Sequence, residues 1–254
     1  MQAIVKQPCV SFASGETSVD LGTPDLDEVL KQHAAYCEAL ESCGVELIRL
    51  PPDDEHPDST FVEDTALLTP RGAVLTRPGA DSRRGEVERI ATVVRDYFKH
   101  VYTIESPGTL DAGDVCEAGD HFFIGISRRT NEHGAKQLSA LLHQFGYTST
   151  LIDIRGLSNI LHLKSGLAYL PDRHLVVIEA LRNLQEFSGY DLISLDATEE
   201  YAANCLSING KTLIAGGFPK FKRELELLGH SIISFDMSEF QKMDGGLSCL
   251  SLRF

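Results

Sequence analysis

Five times along the chain a short apolar run leads into a polar turn, then into apolar residues at helical spacing, then into a second short apolar run. The first unit opens with Ala3-Ile4-Val5. Its helix carries a stripe of Val29, Leu30, His33, Tyr36, Cys37 and Leu40, with Pro24 near the first position and Gly44 as the stop. Val45 to Leu50 then reads as a strand. The second unit has Ala73-Val74-Leu75-Thr76 and a helix face of Val87, Ile90, Val94 and Tyr97. The third has Phe122-Phe123-Ile124-Gly125, then Leu138, Leu141, Leu142 and Phe145, ending at Gly146. The fourth has Leu175-Val176-Val177-Ile178 and a short helix over Leu181, Leu184 and Phe187, ending at Gly189. The fifth has Thr212-Leu213-Ile214-Ala215, then Phe221, Leu225 and Leu228, with Gly229 as the stop.

Polar residues in apolar contexts lie between the units: Phe61-Val62-Glu63-Asp64, Leu110 to Asp114, Leu161-His162-Leu163-Lys164, Ala203-Asn204-Cys205 and Leu247-Ser248-Cys249. These segments read as second strands, so each unit is ββαβ-like. Five units in 254 residues average about fifty residues each, a span typical of closed repeat architectures. The fold expected is α/β, with five units closed into a ring and residues 1–254 forming a single domain. Pro51 to Pro57 is a loop too short to tether two domains. If the ring closes, Asp64, Asp111, His162, Asn204 and Cys249 converge on its axis.

Composition narrows the partners. Lys and Arg number 23 against 37 Asp and Glu, a formal charge of −14 that repels phosphate backbones and anionic lipid and suits a cationic small molecule. The reading therefore expects no nucleic-acid and no membrane partner. The chain begins without a signal-peptide pattern and has no apolar run near ~20 residues. Its six cysteines show no CxxC and no regular spacing, which fits a reduced, cytoplasmic protein.

Several residues offer chemistry beside a plainer role. Cys249 follows the Gly245-Gly246 turn, which leaves a thiol accessible, although strand cysteines are ordinarily buried packing. His162 sits in a strand-like alternation, where a lone histidine is ordinarily structural. No histidine or cysteine spacing suits a metal. Asp111 before Ala112-Gly113 is a turn former taken alone, and an orienting acid if Cys249 and His162 meet it. Asp58, Glu63 and Asp64 form an acidic cluster, expensive to bury without a cation and unremarkable on a solvated edge. Ser82-Arg83-Arg84 and Ser127-Arg128-Arg129 recur between strand and helix, either as solvated charge or as a pair of arginines clamping a carboxylate.

Taken in order, Ser59 to Asp64, Thr76 to Val87, Thr109 to Asp114, Arg129 to Asn131, Leu161 to Ser165, Ala202 to Cys205 and Asp244 to Cys249 resemble the dimethylarginine dimethylaminohydrolases. The resemblance spans essentially the whole chain and is to the short bacterial form of these guanidine-modifying penteins. It implies a five-bladed α/β propeller and hydrolysis of Nω-methylated or Nω,Nω-dimethylated L-arginine to L-citrulline and methylamine or dimethylamine. It also implies roles: Cys249 as nucleophile, His162 as acid and base, Asp111 as its carboxylate partner, and Asp58, Glu63 and Asp64 around the guanidinium and amino groups. Arg83 and Arg129 match the pair that holds the α-carboxylate, and Met243 matches a contact on the substrate. No metal or organic cofactor is implied, and a homodimer is left open. Glu16, in the lid Ser14-Gly15-Glu16-Thr17, stands where similar bacterial enzymes place leucine, and the triad acid Asp111 stands where they often have Glu. Two competitors share the fold. Arginine deiminases look for His-x-Asp where this chain has His162-Leu163-Lys164, and an ammonium cannot accept a hydrogen bond from an unsubstituted guanidinium nitrogen. Non-catalytic, macromolecule-binding penteins fit poorly with both His162 and Cys249 in place.

Overall fold

The structure, a computed structural model, describes every residue from Met1 to Phe254. Fifteen strands form five separate three-stranded sheets. The first sheet contains β1 (Gln2–Lys6) and β2 (Glu46–Leu50); the second contains β3 (Ala66–Thr69), β4 (Gly72–Leu75) and β5 (Val101–Thr103). The third contains β6 (Val115–Ala118), β7 (His121–Ile126) and β8 (Thr148–Asp153), and the fourth β9 (Leu167–Leu170), β10 (His174–Ile178) and β11 (Asp191–Leu195). The fifth contains β12 (Leu206–Ile208), β13 (Lys211–Ala215) and β14 (Ser231–Phe235), and β15 (Leu252–Arg253) returns to the first.

Every blade repeats one plan. Its middle strand pairs antiparallel with a hairpin strand and parallel with the strand that follows. A parallel neighbour requires a crossover. Four crossovers contain helices: α1 (Leu26–Ser42), α2 (Arg84–Tyr97), α3 (Glu132–Gln144) and α4 (Pro219–Leu227). Asp25 caps α1 by accepting the Asp27 and Glu28 N–H groups, and Val29, His33, Tyr36, Cys37 and Leu40 face inward as their spacing predicts. The first blade takes its hairpin strand from far along the chain, with Ile4 opposite Leu252 and Ala3 opposite Arg253. Hairpin strands form the inner wall: β15 lies against β3, β6 against β9, and β9 against β12. Apolar side chains fill the spaces between blades, as where Phe123 of β7 meets Phe187 edge-on with ring centres 5.1 Å apart.

Two expectations are corrected. The fourth crossover is not a helix but two 3₁₀ turns, Glu179–Leu181 and Gln185–Phe187. Leu181, Leu184 and Phe187 are spaced three apart, which matches 3.0 residues per turn better than 3.6. The polar segments read as strands are also 3₁₀ turns, and each inner strand begins just beyond its turn. Their backbone bonds close locally, as from Asp114 N–H to the Asp111 carbonyl at 3.0 Å and from Ser165 N–H to that of His162 at 3.1 Å. A segment paired to itself this way cannot join a ladder.

Candidate active site

One turn per blade enters the hub: Val62–Thr65, Ala112–Asp114, Leu163–Ser165, Glu200–Ala203 and Ser248–Leu250. Turns of neighbouring blades touch one another. Asp64 and Cys249 lie within their turns, Asp111 and His162 immediately before theirs, and Asn204 immediately after its own. The convergence expected from the repeat is therefore present.

His162 is buried among carboxylates. Its Nε2 lies 3.1 Å from Asp111 Oδ2 and its Nδ1 lies 4.0 Å from Asp64 Oδ1. Asp111 is steadied in turn by the Gly79 N–H at 2.8 Å on its other oxygen. Burial alone would lower the imidazole pKa, but the charges of Asp64, Asp114 and Asp111 outweigh it and raise it to about 10. The ring is thus an imidazolium at neutral pH. Gly113 makes the approach feasible: a Cβ there would sit 2.9 Å from His162 Nδ1 and 2.7 Å from Asp64 Oδ1. Asp114, fully buried, accepts the Leu163 N–H at 2.9 Å and the Ser127 hydroxyl at 2.6 Å, and burial pushes its carboxyl up to about 6.

Cys249 lines a small cleft together with His162, and the Gly246 N–H points at its sulfur from 3.4 Å. Burial, with the charges of Glu63 and Asp64, pushes the thiol up to about 12. Of the ten expected site residues, Cys249, His162, Asp58, Asp64, Arg83, Arg129, Met243 and Glu16 line this cleft. Asp111 stands behind His162. Glu63 does not face the cleft. It pairs with Lys164 and accepts the Ser248 hydroxyl at 2.6 Å, and both Glu63 and Lys164 line the axial channel on the inner strands. The Lys164 ammonium therefore does not stand where a second guanidinium nitrogen would meet it, a correction to that part of the sequence argument.

The two arginines differ sharply. Arg83 is buried and donates to Asp64 Oδ2 at 2.5 Å, to both oxygens of Glu86 at 3.0 and 2.8 Å, and to the carbonyls of Asp58 and Phe61. Burial works against the Asp64 charge, but His162 and Arg83 outweigh it and hold that carboxyl below its usual range. Arg129 is reached from the cleft and donates to Glu16 Oε2 at 2.6 Å. Burial pushes the Asp58 carboxyl up.

Some contributors had no assigned role in the sequence reading of the site, although Asn204 was among the residues expected at the axis. Glu86 is the main partner of Arg83, signalled only by i,i+3 spacing. Asn204 accepts the Ser248 N–H at 2.8 Å and donates to Ser248 Oγ at 3.1 Å, which fixes the turn that carries Cys249. Asp244, at φ +56°, accepts the Ser18 N–H at 2.5 Å and so ties the lid to the rim. Two groups place metal-ligand atoms within 4.8 Å of one another, Asp53-Glu55-His56 and Asp64-Asp111-His162. Asp53 is already paired with Lys6 and Arg89, and the second group with Arg83 and within itself.

Five three-stranded blades, four of them with a helical crossover, around a hub that brings together cysteine, histidine and carboxylates define a pentein. The sequence profile of the family described as "N,N dimethylarginine dimethylhydrolase, eukaryotic" matches residues 24–250. The chain is 45% identical over 252 residues to the N(G),N(G)-dimethylarginine dimethylaminohydrolase of Pseudomonas aeruginosa, covering 99% of this chain and 98% of the relative. It belongs to the dimethylarginine dimethylaminohydrolase family. A cysteine-to-serine mutant of the Pseudomonas aeruginosa enzyme, solved with citrulline, superposes with a TM-score of 0.96 at 43% identity, covering 100% of this chain and 98% of that one. The N-terminal domain of a cyanobacterial arginine dihydrolase, 16% identical, superposes at 0.88 over 99% of this chain and 96% of its own, and shares the fold alone.

Proposed function

We propose that this chain hydrolyses Nω-methylated and Nω,Nω-dimethylated L-arginine to L-citrulline and methylamine or dimethylamine through a covalent intermediate on Cys249. The observation that carries the reading is His162, held between Asp111 and Asp64 in the cleft that Cys249 lines. A guanidinium is a poor electrophile because its charge is delocalised, so a strong nucleophile and a proton donor must act on it together. Entry of that cation beside Asp64 offsets the negative charges that hold the thiol proton on. The thiol proton is given up to solvent as the cation binds, and the resulting Cys249 thiolate forms a bond to the central guanidinium carbon, whose C=N electron pair moves onto nitrogen. His162 delivers its proton to the alkylated nitrogen, and the carbon–nitrogen bond breaks to release the amine. The amidino-thioether left on sulfur is then attacked by water, whose proton returns to His162. Expulsion of the thiolate leaves a ureido group, that of citrulline.

Asp64 and Asp58 supply negative charge for the substrate's cationic groups, and Met243 supplies an apolar contact. Asp111 keeps the imidazole oriented through each proton transfer. Glu63 acts from the channel side, by holding Ser248 next to the nucleophile, rather than by touching substrate. The test is incubation with asymmetric dimethylarginine and, separately, with arginine, assaying citrulline, dimethylamine and ammonia. Citrulline and dimethylamine in equal amounts are expected from the first, with the second far slower. Cys249→Ser is expected to remain folded and produce neither. Release of ammonia from arginine at the greater rate would assign the chain to deimination instead.

A further inference from the structure

The lid carries an acid into the carboxylate-binding end of the cleft. Arg83 spends its donors on Asp64, Glu86 and two carbonyls, which leaves Arg129 as the cation a ligand can reach. Arg129 already holds one oxygen of Glu16 at 2.6 Å, and the Ser82 hydroxyl donates to the other. A carboxylate held between a guanidinium and a hydroxyl is the arrangement an α-carboxylate would need. The Glu16 backbone is held too, its N–H donating to Asp58 Oδ2 at 3.0 Å. Gly15 lets the chain come this close, since a Cβ there would sit 2.2 Å from Asp58 Oδ1. The Glu16–Arg129 pair lines both the inner cleft and the outer vestibule, so a ligand passes it on entry. The Glu16 side chain is 44% exposed and has solvent to swing into.

We propose that Glu16 is a built-in competitor for the α-carboxylate seat on Arg129: a methylated guanidino amino acid binds by displacing it, and a methylated guanidino alkylamine binds without displacing it and is a second ligand class of the site. The inference rests on the guanidine-hydrolase reading of the cleft. Charge supports it. Around the distal end of a ligand, three acids, Glu16, Asp58 and Asp244, line the cleft with Arg129, the one cation there that is not sealed among buried partners. An alkylammonium gains from all three acids. An amino acid brings a fourth carboxylate among them and must send Glu16 out.

The experiment compares wild type, Glu16→Leu and Glu16→Gln on dimethyl-L-arginine and on its decarboxylated amine. Glu16→Leu is expected to lower KM for the amino acid roughly tenfold, the scale of one charge-assisted hydrogen bond, and to raise KM for the amine. Glu16→Gln should fall between. The same ligands are titrated by calorimetry into Cys249→Ser, with and without Glu16→Leu. Absent turnover with the expected order of binding constants would sink the hydrolase reading and uphold the competition. An unchanged or weaker amino-acid affinity after Glu16→Leu, or failure of the amine to bind wild type, would overturn the competition whatever the turnover.

Discussion

Ser82-Arg83-Arg84 and Ser127-Arg128-Arg129 look interchangeable in the sequence, yet Arg83 and Arg129 do different work. Arg83 is sealed among acids and carbonyls, so removing its charge strands Asp64 and Glu86 in a buried setting. Arg83→Leu is expected to cost about 3–5 kcal/mol of stability, read by chemical denaturation. Arg129→Leu is expected to stay within about 1 kcal/mol of wild type, because its one acidic partner, Glu16, is 44% exposed and can turn to solvent when the pair is lost. Its effect should appear as a raised KM for carboxylate-bearing ligands. Equal losses of stability would show that the structural difference between them is illusory. Sequence could not separate the pair, because Asp64, Asp58 and Phe61 reach Arg83 only through the fold. Glu63 and Asp64 posed the same problem. Neighbours in a 3₁₀ turn point about 120° apart, so adjacent acids serve opposite sides of the hub.

Among the elements, helices α1 to α4 were legible from their apolar spacing, and α1, α3 and α4 also from the glycines that follow them. The hub turns were not. A few alternating residues suit a strand as well as a turn, and only the self-closing backbone bonds decide. Within α1, His33 followed the apolar stripe and is buried with Nε2 unpartnered. Burial, aided by the Arg49 charge, lowers its pKa to about 4. A base with a depressed folded pKa contributes stability that is present above about 6.5, its unfolded value, and lost as pH falls through about 4. His33→Leu should therefore flatten the fall in Tm over that window while leaving Tm at pH 8 little changed. An identical acid profile in the variant would place the sensitivity elsewhere.

For the whole molecule, the decisive contact joins β15 to β1, since four blades are contiguous in sequence and one is not. Buried Leu252 sits in that junction opposite Ile4. Leu252→Ala should cost about 2–5 kcal/mol, and in denaturant its activity should vanish at a lower midpoint than its far-UV signal. Coincident midpoints would show that the ring opens and unfolds as one event. The ring itself was legible in the five-fold repeat; how the first blade is completed was not, because Leu252-Arg253 is too short a run to announce a strand.

The arrangement of one hub turn per blade bears on how such a molecule can change over generations. Each turn is a socket that accepts a different side chain while the apolar packing between blades stays in place. A new chemistry then needs an exchange at one or two sockets, with no redesign of the sheets. The reverse also holds: a lost or duplicated blade would alter the angle between all the sockets at once. Such a lineage would diversify by substitution at the hub far more readily than by gain or loss of repeats.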